Sequence, residues 1–225
     1  MMPEYSGFSE HSGFFSLLLV LLCGLLLSPA VFSAERYTVD SEQSFVRIAA
    51  KMCEPDLLKG EFGHLSGEIL LDEAKLENSS VTITVTAADA VFDHEFHRTD
   101  NIKDIVMGEK ILNALKFPLI TFKSTKIIPT NTQQFQAYGE QSSVITATVK
   151  GDLTLVGVTH PFEMEVTFHD KTGLTSKGRM VAAFSTFGTF KRSEFGVLYG
   201  LDRVGIRRMG DEVTVMTSIT ANRSQ

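Results

Sequence analysis

The sequence predicts an all-β protein: one antiparallel sheet of about eight strands, closed into a barrel, with a single helical insert. Three observations predict it. Apolar and polar residues alternate along most of the chain beyond residue 43, the period of a strand with one dry face. Only residues 98–117 carry an extended helical spacing. Glycines recur inside an apparent strand at 60, 63 and 67, where a strand that bends at a barrel corner tolerates them. Closure removes exposed sheet edges. About eight strands leave an interior just wide enough for side chains or for one ligand.

Residues 1–33 are of another class. FFSLLLVLLCGLLL (residues 14–27) is almost unbroken hydrocarbon, ended by Ser28-Pro29 and small residues before Glu35. This is an export signal, with cleavage expected after Ser33 or Ala34, or else an uncleaved anchor. The leading 13 residues lack the usual Lys or Arg. Leu22 before Cys23 argues against a lipoprotein cysteine. Residues 34–225 form the one remaining domain, long enough for a sizeable core. Cys53 is its one cysteine, so no internal disulfide forms.

The strands follow in order. Residues 44–52 are mixed but apolar-rich, and 59–72 carry the three glycines. Residues 80–92 place Val81, Ile83, Val85 and Ala87 on one face and threonines on the other. Pro118 opens the next strand, with Ile120 and Phe122 on its dry side. Residues 142–157 put Ile145, Ala147, Val149, Leu153 and Leu155 together. The chain turns at Gly157–Pro161 and returns with Phe162, Met164, Val166 and Phe168. Residues 176–190, with Phe184, and 212–221, with Val213 and Val215, complete the set. Within 98–117, Ile102, Ile105, Val106, Ile111, Leu112 and Leu115 are helically spaced, with an interruption expected at Gly108. A short helical turn is expected at 190–196, stopped by Gly196. From alternation alone, the dry side holds either a filled core or a ligand.

The net charge is −6, without long blocks of one sign. That argues against a nucleic-acid partner, whose phosphates need clustered Lys and Arg. DHEFH (residues 93–97) resembles a zinc site, but His94 and His97 are one residue too close for His-Glu-x-x-His and no third ligand is marked. A solvated loop is the simpler reading, and a metal-dependent enzyme the alternative. His64, His160 and His169 are scattered and expected at the surface. Ser66 in GHLSG is misplaced for a nucleophile elbow. Glu163 and Glu165 alternate with apolar residues and are expected in solvent, not as an acid–base pair. Arg192, in FKRSEFG, is placed to meet an anionic group, a loop carboxylate or a carbonyl.

Four stretches in order resemble one family: YTVDSEQSFVRI (37–48), ILNALKFPLITFKSTKI (111–127), GDLTLVGVTHPFEMEVTF (151–168) and FKRSEFGV (190–197). Together they resemble the YceI-like proteins, lipocalin-like polyisoprenoid-binding barrels. The resemblance implies an eight-stranded barrel, exported to the periplasm or secreted. It implies an elongated lumen holding an isoprenoid chain, such as a quinone tail or polyprenyl lipid, and no catalytic residues or cofactor. Two departures stand out. Gln43 occupies a position often held by His, and Lys103-Asp104-Ile105 is the best match to a family Arg-Asp-x-His.

The expected function is therefore non-catalytic carriage of a long isoprenoid or similar amphiphile by the inward residues named above. Burial contributes about 0.8 kcal/mol per CH2, so retention needs no head-group contact. A structural barrel with a filled core is the other alternative. A homodimer stays open, and membrane contact requires residues 14–32 to be an anchor.

Overall fold

The computed structural model describes residues 34–52, 57–93, 102–137, 140–169, 181–202 and 209–224. The expected export segment, Cys53, and His94 and His97 lie outside the described residues. The described residues form eleven strands: β1 (Glu35–Val39), β2 (Phe45–Lys51), β3 (Leu57–Phe62), β4 (Ser66–Leu71), β5 (Ser80–Thr86), β6 (Val91–Phe92), β7 (Leu119–Ala137), β8 (Glu140–Leu155), β9 (Val158–His169), β10 (Val181–Lys191) and β11 (Glu212–Arg223). The described helix α1 spans Ile102–Met107.

Every pairing is antiparallel. The order β1-β4-β5-β7-β8-β9-β10-β11 closes back onto β1, giving an eight-stranded barrel. The extra strands β2, β3 and β6 are continuations. β11 pairs with β1 near its end (Tyr37↔Arg223) and with β2 earlier (Val213↔Ala50). β3 follows β2 while β4 follows β1. β6 lies on β3 as β5 lies on β4. Three of the eight staves are thus bent, at residues 40–44, 63–65 and 87–90.

Each bend also flips parity. Buried Tyr37 and Val39 have odd numbers, whereas the inward residues of β2 are Val46, Ile48 and Ala50. Leu58 and Phe62 give way to Ile69 and Leu71. Val85 gives way to Phe92. A one-residue slip turns a strand over, so a bend with an odd offset keeps the dry face inward as the wall changes direction. A register shift between Ser124 and Lys126 does the same in β7, from Phe122 to Ile127.

Polar side chains stitch the first bend. Asp40 accepts hydrogen bonds from the Glu42 N–H (3.1 Å), Gln43 Nε2 (3.0 Å) and Asn222 Nδ2 (3.0 Å). Buried Ser44 donates from Oγ to the Thr220 carbonyl and accepts from the Thr220 N–H. It stands in for the backbone where the ladder breaks.

Three expectations are refined. The strand expected over 59–72 is two, with His64 left-handed at φ 51° between them. The turn expected at Gly157–Pro161 is a two-residue hairpin turn at Val156–Gly157, both with positive φ (52° and 75°), so β9 starts at Val158. Helix α1 covers only six residues of 98–117 and ends before Gly108. Beyond it the Leu112 and Ala114 N–H groups return to the Val106 and Met107 carbonyls. The turn at Arg192–Phe195 stops at Gly196, φ 76°, as expected.

The end of the barrel where β6 stops and β7 begins is covered by α1 and the segment after it. Ile102, Val106, Ile111 and Leu112 are buried there. The β10–β11 connection brings buried Phe195, Val197 and Met209 to the same end.

Candidate functional site

Inside the barrel lies a lumen of about 240 Å³. Apart from Ser79, Ser80, Thr186, Arg192 and Thr217, its lining residues are aliphatic, aromatic, Met164, Met209 or Gly188. The interior is neither packed solid nor polar.

The alternation of each strand places its residues on this wall. β5 supplies Val81, Ile83 and Val85, and β7 supplies Ile120 and Phe122. β8 supplies Ile145, Val149 and Leu153. β9 supplies Phe162, Met164, Val166 and Phe168. Phe184 comes from β10, and Val213 and Val215 from β11. All fifteen positions expected inside line the lumen. Sequence reasoning missed Val46, Ile48, Leu58 and Phe62, because the bends scramble their parity. It also missed Val106, Ile111 and Leu112, because helical spacing does not say which wall a short helix covers.

Aromatic rings organise both ends. Toward the α1 end, Phe122, Phe162, Phe190 and Phe195 form a chain of edge-to-face contacts with centroids 5.3–6.0 Å apart. Away from it, Phe168 and Phe184 stack at 5.1 Å. Gly188, between Thr186 and Phe190 on β10, leaves room for this packing. A Cβ there would meet Phe162 Cζ at 2.8 Å and the Glu163 carbonyl at 3.0 Å. On the lining toward the 3-10 turn at Leu76–Asn78, Leu76, Ser79, Ser80 and Val81 are half-buried, whereas Val106, Ile111 and Leu112 at the opposite end are buried.

Among the described residues Arg192 is the one charged lining residue, 5% exposed. Its guanidinium donates to three carbonyls: Nε to Gly210 (2.7 Å), Nη1 to Val197 (2.9 Å) and Nη2 to Met209 (2.9 Å). Of the partners weighed from sequence, the structure shows carbonyls. Burial pulls its pKa below the usual arginine value, and the nearby Asp211 charge opposes that. Asp211 itself accepts from the Ser193 N–H and Oγ. Arg192 thereby ties the β10–β11 connection into a cap on the lumen.

The other polar candidates lie off the wall. Glu163 is exposed and pairs with Lys150 at 2.7 Å, and Glu165 is exposed. His64 is exposed, 3.6 Å from Asp89. His160 and His169 are half-buried, not at the open surface as expected. His160 packs edge-on against Phe195, and His169 Nε2 lies 3.0 Å from Ser185 Oγ. Among the described residues no group of three or more His, Cys, Asp or Glu side chains is placed to hold a metal ion. Also among the described residues, no helix is long and apolar enough to cross a membrane.

A model of the YceI-like domain matches residues 37–221. A UPF0312 protein of Pseudomonas fluorescens is 30% identical over 187 residues, covering 80% of this chain and 88% of its own. Among solved structures, Burkholderia cenocepacia BcnA is similar with TM-score 0.60 and 24% identity, over 81% of this chain and 98% of its own. A domain from Saccharophagus degradans, described as polyisoprenoid binding and implicated in plant cell wall breakdown, has TM-score 0.56 and 12% identity, over 84% and 98%. At these identities the two solved structures speak to the fold.

Proposed function

The chain belongs to the YceI-like family, and from that premise we propose that its lumen is a non-catalytic binding site for the hydrocarbon part of an amphiphilic lipid, an isoprenoid chain in particular. The observation that carries the proposal is the hollow, hydrocarbon-lined interior. A solvated protein loses packing contacts by keeping such a space, because the lining has no partner atoms on one side. A ligand restores them. The polyisoprenoid-binding description of the similar Saccharophagus degradans domain supports the same class of cargo.

The volume sets a scale. An apolar cavity of about 150 Å³ admits one benzene ring, so about 240 Å³ admits roughly ten carbons at rest. At about 0.8 kcal/mol per CH2, gross burial is about 8 kcal/mol, and ordering the chain offsets part of it. A longer tail is taken up by moving Met164, whose unbranched thioether adapts its shape, or by leaving part of the tail outside. Export fits the apolar run at 14–27, and we place the protein in the periplasm or outside the cell.

Native mass spectrometry of protein purified without detergent tests the reading. A co-purifying lipid, or uptake of added polyprenyl lipid at one per chain, is expected. A barrel that emerges empty and takes up neither long nor short isoprenoids would defeat it.

A further inference from the structure

Among the described residues, the side wall of the lumen carries one polar pair away from Arg192 and from Ser79 and Ser80. Thr186 on β10 and Thr217 on β11 are register partners, both line the lumen, and their Oγ1 atoms are 2.8 Å apart. Their neighbours in register are Val166 on β9 and Val46 on β2, both lining residues. Phe184 and Gly188 flank Thr186 along its strand, and Val215 and Ile219 flank Thr217. Thr154 with Thr159, and Thr130 with Thr146, make similar contacts on exposed surface, open to solvent. The Thr186–Thr217 pair faces hydrocarbon instead.

The chemistry of that pair is incomplete. Two hydroxyls hold two protons, and their mutual bond uses one. Among the described residues neither side chain makes another hydrogen bond. Valine fills the same volume without a polar atom, so a hydroxyl pair on an otherwise dry wall needs a partner for its second proton. Arg192 cannot complement it: six residues along β10 is roughly 20 Å of strand, and its guanidinium is held by three carbonyls.

We propose that Thr186 and Thr217 form a hydrogen-bond site for an uncharged carbonyl or hydroxyl oxygen of the ligand, held inside the lumen. This rests on the lumen being a lipid site and narrows its cargo. The ligand is an oxygenated isoprenoid, an alcohol, ketone or quinone, with its oxygen within the barrel. It is not a pure hydrocarbon. A phosphate at this depth does not fit, because among the described residues no cation faces it and burying an unpaired charge is costly.

The test compares farnesol with farnesene, which lacks the oxygen, by titration calorimetry or native mass spectrometry. The proteins are the wild type, the Thr186→Val/Thr217→Val double variant and the Thr186→Ser/Thr217→Ser double variant. The valine variant is expected to bind farnesol about five- to tenfold more weakly than wild type while holding farnesene equally or better. The serine variant keeps farnesol affinity near wild type. Farnesene binding reports that the barrel is intact, and if the double variant does not fold the single valine variants carry the same comparison. Equal loss of both ligands, or unchanged farnesol affinity with farnesene still bound, overturns the hydroxyl site while leaving the lipid lumen standing. Wild type that binds neither overturns the lumen reading, and the hydroxyl site falls with it.

Discussion

At the scale of single residues, two polar side chains each satisfy several partners at a break in the barrel ladder: Arg192 and Asp40. Arg192 satisfies three carbonyls that the β10–β11 connection would otherwise bury unpaired. Arg192→Met keeps the stem and removes the donors. It is expected to cost about 3–5 kcal/mol in urea unfolding, since each buried acceptor left unsatisfied costs roughly 1–3 kcal/mol. Asp40 works through its charge. Burial pushes its pKa up, but hydrogen bonds from Asn222, the Glu42 N–H and Gln43 outweigh this and hold it below the ordinary aspartate value. A depressed carboxyl contributes stability above its unfolded pKa and loses it as pH falls through the folded value. Wild type should therefore weaken progressively as pH drops below about 4. Asp40→Asn should lose less between pH 6 and pH 3, in unfolding curves taken at both. Parallel slopes would remove Asp40 from the account.

At the scale of elements, legibility followed regularity. β5, β8, β9 and β11 keep one parity, and their lumen residues were readable by counting. The first two staves, β1–β2 and β3–β4, were not, because each bend flips the inward set: Leu58 and Phe62 against Ile69 and Leu71. Residues 184–190 mislead differently. Thr186 faces in while Phe187 is half exposed on the outside, the reverse of what hydropathy suggests. The wall where they sit is also where size is set. Phe184 stacks on Phe168 at 5.1 Å and narrows the lumen away from α1. Phe184→Ala should destabilise the empty protein by about 3–5 kcal/mol through the cavity it leaves. If the lumen holds lipid, the same variant should take up a longer isoprenoid than wild type, read by native mass spectrometry across a chain-length series. Destabilisation with no change in chain length would favour a barrel whose interior serves only packing.

At the scale of the molecule, closure and hollowness pull against each other. The eight-stranded ring pairs its edges and so forgoes edge-to-edge association, but it encloses a space that its own side chains leave unfilled. A partner that binds only the folded form stabilises it by mass action, about 2.7 kcal/mol when ligand exceeds its Kd a hundredfold. For a domain of this size each kcal/mol raises Tm by roughly 2–4 °C. Protein stripped of lipid by unfolding and refolding should therefore melt about 5–10 °C lower than the same protein loaded with farnesol at that excess. The gap should shrink as ligand is diluted toward Kd, because the stabilisation follows the logarithm of free ligand. A solvent effect of the alcohol would instead act on any barrel, and an octanol control at equal concentration separates the two. If stripped and loaded protein melt together at every farnesol concentration, the interior is not a binding site for this chain, and the empty space has to be explained by the barrel's geometry alone.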